Sequence, residues 1–177
     1  MKGADLIIDA LGRINETLHA ELADITPDEL AADPQPSVGW LTWHLIRVQD
    51  SQICTVSDRT QAWIEDGWHK KFNMAPEPRD YGPAHTHTHA QAKSLGADTA
   101  TLLAYHDAVF GRSVAYLDSL SDADLERVLD DPRYDPRPTV GVRLVSVVDD
   151  NMQHAGQVIF QKACLRSGGW FPNPSTG

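Results

Sequence analysis

The chain has 177 residues, of which 41% are hydrophobic, and carries a formal net charge of −10 from 25 acidic and 15 basic residues. That length predicts one domain with a core large enough to stand without staples. So acidic a surface repels phosphate backbones and anionic bilayers, which argues against nucleic-acid and membrane partners.

Residues 4 to 22 read as a first helix, with Leu6, Ile7, Ala10, Leu11, Ile14, Leu18 and Leu22 at i, i+3, i+4 and i+7 spacing. Thr26-Pro27-Asp28-Glu29 then starts a short helix. Thr26 is its N-cap, Pro27 takes the first position, Glu29 closes a capping box, and Leu30 anchors it. Asp33-Pro34-Gln35-Pro36 breaks the chain. Ser37 caps a second long helix, about Val38 to Ser57, whose apolar residues are Trp40, Leu41, Trp43, Leu45, Val48, Ile53 and Val56. His44 sits inside it.

Residues 60 to 95 form a long connection, with one helical turn expected around Thr60 to Glu65. A connection of this length is a crossover or carries function. It includes His85-Thr86-His87-Thr88-His89. Alternation by two would put the three imidazoles on one side of an extended segment. They could supply a further ligand or a general base there; a surface loop with adventitious metal affinity is the plainer reading.

A third helix is expected from about Asp98 to Leu120, with His106 among its apolar residues as a hydrogen-bonded core histidine. Ser121-Asp122-Ala123-Asp124 resembles a second capping box, backed by Leu125 and Val128. After two Asp-Pro breaks, Thr139 caps a fourth long helix, about Val140 to Ser167, which Gly168-Gly169 ends. Residues 1–170 are expected to form the bundle domain and 171–177 a flexible tail.

The order repeats: long helix, T-P-D-E-L, Pro-Ser-Val-Gly (36 to 39), long helix; then long helix, S-D-A-D-L, Pro-Thr-Val-Gly (138 to 141), long helix. An internal repeat of this kind predicts two similar helical hairpins on one core. With no convincing strand, the fold class is all-α, a four-helix bundle. The long crossover between halves permits an up-down-down-up arrangement. No stretch approaches transmembrane length, and the amphipathic start is unlike a signal peptide. Cys54 and Cys164 make no disulfide framework and read as buried thiols, which fits a reducing, cytoplasmic setting.

Within the fourth helix, Asp150 and His154 are i and i+4 and share one face. Gly156 after them would let another backbone come close, at some cost in helix propensity. Facing helices of a bundle are where metal sites are built, and His44 supplies a third ligand from the second helix. Two imidazoles and one carboxylate with an open position form a catalytic metal pattern. Zn²⁺ suits it, with Fe²⁺ or Ni²⁺ as alternatives.

Trp40-Leu41-Thr42-Trp43-His44-Leu45 with Arg47 and Asp50, and Asp150-x-x-x-His154-Ala155-Gly156-Gln157, resemble the DinB-like superfamily of four-helix metal proteins. That superfamily includes the mycothiol-dependent maleylpyruvate isomerases. The helix order extends the resemblance over nearly the whole chain. In the isomerase-like branch the place of Asp150 resembles Glu, one methylene longer. The resemblance implies that His44, Asp150 and His154 are ligands rather than acid–base groups. It also implies that the metal takes up a low-molecular-weight thiol, mycothiol or bacillithiol, as cosubstrate. Arg47 could then meet a carboxylate of thiol or substrate, or pair with Asp50 on its own helix, and Trp40 could line the pocket. The isomerases carry an additional C-terminal domain. This chain ends soon after the fourth helix, so a thiol S-transferase acting on a small molecule is the closer expectation. Two other readings stay open: a metal-centred bundle that binds without turnover, and a metal-dependent hydrolase with Asp149 or Asp50 as general base. Bundle faces often pair, so a homodimer is compatible with the sequence.

Overall fold

Short polar side chains set where the helices begin. Ser37 Oγ accepts from the Trp40 N–H at 3.2 Å and Asp98 Oδ1 from the Thr101 N–H at 2.7 Å. Thr26 with Glu29, and Ser121 with Asp124, close reciprocal capping boxes. Each cap is worth about 1 kcal/mol, because first-turn N–H groups have no partner inside the helix. The computed structural model describes residues 1–33, 36–82, 87 and 95–167. Among them lie α1 (Gly3–Leu22), α2 (Pro27–Ala31), α3 (Val38–Ser57), α4 (Ala62–Glu65), α5 (Trp68–Lys71), α6 (Thr99–Leu117), α7 (Asp122–Leu125) and α8 (Val140–Ser167). The turn expected near residue 60 is α4; α5 had no signal in the hydrophobic pattern. The tail from 171 lies outside the described residues.

The long helices α1, α3, α6 and α8 form a four-helix bundle, and there is no strand among the described residues, only an isolated Val128–Thr139 bridge. α1 packs against α6 and α8, and α3 packs against the same two. Lys162 near the end of α8 donates to the Glu21 carbonyl at the end of α1 (2.6 Å), so these two run parallel. The Gly3 N–H donates to Asp122 just past the end of α6 (2.8 Å), so α1 and α6 are antiparallel. Gln52 meets Arg143 while His44 meets His154, so α3 and α8 are antiparallel. The order is therefore up, down, down, up, as expected. One detail differs from two side-by-side hairpins. The consecutive helices α1 and α3 lie on a diagonal, and each takes its neighbours from the other half. The connections through α2 and α7 are long enough to reach across.

The repeat seen in the sequence is a repeat of contacts. A Cβ at Gly39 would sit 3.0 Å from the Leu30 carbonyl oxygen, and one at Gly141 would sit 3.3 Å from the Leu125 carbonyl oxygen. In each half the glycine lets the first turn of a long helix lie against the leucine of the preceding short helix. Leu30 is buried as expected. Val128 is not: it belongs to the bridge to Thr139 and is 60% exposed.

α3 is the central element, buried on nearly every side from Val38 to Ser51. A helix so placed must satisfy its polar side chains internally. Gln49 does so by donating to Ser113 on α6 (3.0 Å) and accepting from Asn151 on α8 (2.8 Å). On α8 the buried residues are Val140, Arg143, Leu144, Val147, Asn151, Ala155, Val158 and Lys162, mostly one long stripe at helical spacing. Val145 and Phe160 are apolar but exposed. No helix among the described residues is long and apolar enough to cross a membrane.

Candidate metal centre

His44 and His154 face each other from antiparallel helices, their ring centroids 4.6 Å apart and nearly perpendicular. Asp150 stands one turn before His154, with its Oδ1 3.7 Å from His154 Nε2. One ligand atom from each of the three residues lies within 4.8 Å of the others, close enough to hold a metal ion. Asp150 and His154 flank the buried stripe of α8, which passes through Asn151 and Ala155. Their offset of one position turns them toward α3.

The outer nitrogens of both imidazoles are already taken. His44 Nδ1 bonds the Tyr81 carbonyl oxygen, and His154 Nδ1 bonds Gln157 Oε1 at 2.8 Å. A carbonyl acceptor fixes the proton on Nδ1 and leaves the Nε2 lone pair for a metal. Burial pushes the His44 pKa down to about 4, with His154 and His87 adding to the effect and the Tyr81 bond opposing it. The ring is therefore neutral and ready to ligate near pH 7.

Asp150 tests whether this set suits a cation. Its Oδ2 is buried and has no hydrogen-bond partner among the described residues. Such an oxygen is costly to leave unpaired, and a divalent ion would satisfy it. Burial raises the Asp150 carboxyl above its ordinary range and Asp149 adds to this, while His154 works against it. A neighbouring cation would reverse that balance. The donor set of two imidazoles and one carboxylate suits Zn²⁺ and leaves a coordination position open. The residues fit the ion.

The centre opens onto a cavity of about 990 Å³ running along the seam of α3 and α8. Trp40 lines it and stacks on His44 with ring planes 5° apart and centroids 4.9 Å apart. His87, from the histidine tract, lines it too. It accepts from Trp40 Nε1 (3.2 Å) and pairs with Asp80 (2.8 Å), so it props the tryptophan and does not join the ligand group. His85 and His89 lie outside the described residues.

Arg47 is not at the cavity, which corrects the expectation that it could clamp a substrate carboxylate. At about 100° per residue Arg47 lies about 60° to one side of His44, while Val48, Leu41 and Gln52, which line the cavity, lie on the other side. Arg47 is fully buried. Its pairing with Asp50, the other expected reading, is present at 3.5 Å. The guanidinium also donates to Gln61 and to the carbonyls of Glu77, Pro78 and Asp80. Asp50 accepts from Tyr105 OH and from the Ala62 and Trp63 N–H groups at the start of α4. Together they pin the crossover, and the crossover delivers Tyr81 to His44. Neither Asp50 nor Asp149 lines the cavity, so the hydrolase reading loses both of its bases. Asp149 instead accepts from Gln153 at 2.9 Å.

Other expectations fall as follows. Cys54 is a buried thiol, pushed up to about 12 chiefly by burial, then by Asp50. Cys164 is half-buried. His106 is in the core and bonds Asn15 through Nδ1, while its Nε2 has no partner among the described residues. Gly156 does not admit another backbone: a Cβ there would meet nothing within 4 Å among the described residues, because it faces solvent. Sequence reasoning did not find Tyr81, which has no local signal. Gln157 was visible three residues after His154, the spacing at which helix neighbours meet.

Comparison with known proteins follows the same lines. The family model of the DinB superfamily matches residues 10–158. A conserved protein from Enterococcus faecalis, known from its crystal structure, is 32% identical with a TM-score of 0.82, covering 92% of this chain and 96% of that one. No curated protein matches the chain. A match over most of the chain, with a solved relative of the same architecture, shows that the chain belongs to the DinB superfamily.

Proposed function

We propose that the chain is a metal-dependent thiol S-transferase. In this reading His44, Asp150 and His154 hold one divalent cation, best Zn²⁺, and a low-molecular-weight thiol such as mycothiol or bacillithiol is the cosubstrate. The observation that carries it is the buried, unpartnered Asp150 Oδ2 beside two imidazoles whose outer nitrogens are already bonded. A bound divalent cation would supply Lewis acidity and lower the pKa of a thiol into the neutral range.

The chain's own residues do the rest. Tyr81 and Gln157 orient the two imidazoles. Trp40 shields one face of His44 from water and presents its indole to the cavity. Arg133, Arg137 and Arg143 line the same cavity and attract an anionic reactant. In the transfer the thiol proton goes to solvent, sulfur bonds to an electrophilic carbon, and the leaving group departs with its electron pair. A reducing cytoplasm, which keeps such thiols reduced, goes with free Cys54 and Cys164.

The test is elemental analysis of protein purified without a histidine tag, beside His44→Ala and His154→Ala. Near-stoichiometric metal that both substitutions remove is expected, followed by metal-dependent conjugation of a thiol to an electrophile. Metal-free wild type, or metal that survives both changes, would overturn the metal centre. Full occupancy without conjugation would leave the metal-binding bundle without turnover.

A further inference from the structure

The cavity has a second polar end. Arg143, Ser146, Val147, Asp150, His154 and Gln157 line it in order along α8, and Trp40, Leu41, His44, Val48 and Gln52 along α3. The helices are antiparallel, so Arg143 and Gln52 meet at one end (2.6 Å) and His154 and His44 at the other. Seven residues from Arg143 to Asp150 at 1.5 Å per residue separate the two ends by about 10 Å. Between them Val48 and Val147 give the wall an apolar strip, with Ser146 beside it, while Leu41 lies past His44.

The far end is built from cations. Arg133, Arg137 and Arg143 line the cavity around Tyr134, with the Arg133 and Arg143 guanidiniums 5.8 and 5.7 Å from its ring centroid. Their counter-ions are Asp131, shared by Arg133 and Arg143 at 2.7 Å each, and Asp130, paired with Arg137. Three guanidiniums thus share two paired carboxylates, and Asp135 in the same loop makes no ion pair with them among the described residues. Asp130 and Asp131 line the neighbouring cavity and not this one. Among the described residues, Arg133 Nη1, Arg137 Nη2 and Arg143 Nε have no acceptor. In a chain of net charge −10, three guanidiniums gather at one end of the cavity.

We infer that the cavity takes a ligand with an apolar spacer and one terminal carboxylate, which Arg133, Arg137 and Arg143 bind while the other end reaches the metal centre. The spacer follows from the strip of Val48 and Val147, its length from the separation of the two ends, and the anionic group from the guanidinium nitrogens that have no acceptor among the described residues. Guanidiniums suit a carboxylate because their N–H groups match it in pairs. The inference rests on the proposed metal centre for the identity of the near end only.

The test uses calorimetric titration of the zinc-loaded full chain with 8-mercaptooctanoate and with 8-mercapto-1-octanol. The wild type is compared with Arg133→Gln/Arg137→Gln, whose two side chains are 67% and 51% exposed and so are not needed for the core. The acid should bind at least tenfold tighter than the alcohol in the wild type. That advantage should fall below threefold in the variant, with zinc content unchanged. Equal affinities in the wild type, or an advantage that survives the substitution, would overturn the inference. Octanoate, which has no thiol, separates this failure from failure of the metal–thiol reading. If neither thiol binds, or the chain holds no zinc, octanoate binding that the double substitution removes still supports the carboxylate site. No octanoate binding, or binding indifferent to the arginines, rules it out.

Discussion

The Tyr81 carbonyl oxygen accepts a hydrogen bond from His44 Nδ1, so a residue of the crossover sets the tautomer of a residue on the central helix. Tyr81 stays there because Arg47 holds the carbonyls of Glu77, Pro78 and Asp80, and because Asp50 caps α4. Arg47 thus acts on the site at one remove, through backbone.

Arg47→Met should separate this role from substrate binding. It strands Asp50 in the core and releases the 77–81 segment. The expected loss is about 3–5 kcal/mol in urea unfolding, the usual cost of breaking a buried ion pair. Zinc affinity, read by competition with a chromophoric chelator, should weaken about 10- to 100-fold, as when a metal-bound histidine loses its outer acceptor. A stable variant with unchanged affinity would show that the crossover does not position His44.

Metal and stability should be linked. Zinc at about 1,000 times its dissociation constant should stabilise the fold by roughly 4 kcal/mol, and a chelator should remove that gain. Asp150→Asn keeps the shape but removes the charge, so its melting temperature should respond far less to zinc. Equal responses of variant and wild type would place the ion elsewhere.

His106 should make the metal-free fold acid-sensitive. Burial holds its pKa at about 4, below the ordinary 6.5. As pH falls through 6.5 the unfolded chain takes up a proton that the folded chain refuses. Stability is therefore complete above pH 6.5 and declines down to pH 4, by roughly 3 kcal/mol at about 1.36 kcal/mol per unit. His44 adds a loss of the same sign. Urea unfolding of His106→Gln at pH 7 and pH 5 should show a smaller drop than the wild type. An identical drop would assign the acid sensitivity to other groups.

Two glycine substitutions should differ in sign. Gly156→Ala meets open space in a helix interior and should stabilise by about 0.5–1 kcal/mol. Gly39→Ala puts a methyl 3.0 Å from the Leu30 carbonyl oxygen and should destabilise by about 1–3 kcal/mol. Thermal melts of the two variants decide it, and a neutral Gly39→Ala would mean that α2 moves freely on α3.

Local chemistry was enough to place the four long helices, though not α5. Thr26, Ser37, Ser121 and Thr139 are caps in sequence and in structure, because a cap depends only on residues three positions away. The Asp150–His154 pair was legible for the same reason, since i and i+4 share a face. Other contacts depend on how helices rotate against each other, which periodicity does not record. Arg47 and Val48 are adjacent in sequence, yet one braces the crossover and the other lines the cavity. Tyr81 contributes a backbone carbonyl, which any residue type could supply, so its identity carried no signal. Arg133 and Arg137 precede α8 and Arg143 lies on it, and only packing gathers the three at the end of the cavity away from His44 and His154. The chain by itself determined where helices start, stop and carry ligand-type side chains. Only tertiary packing decided which of those side chains meet, because their partners lie on elements far apart in sequence.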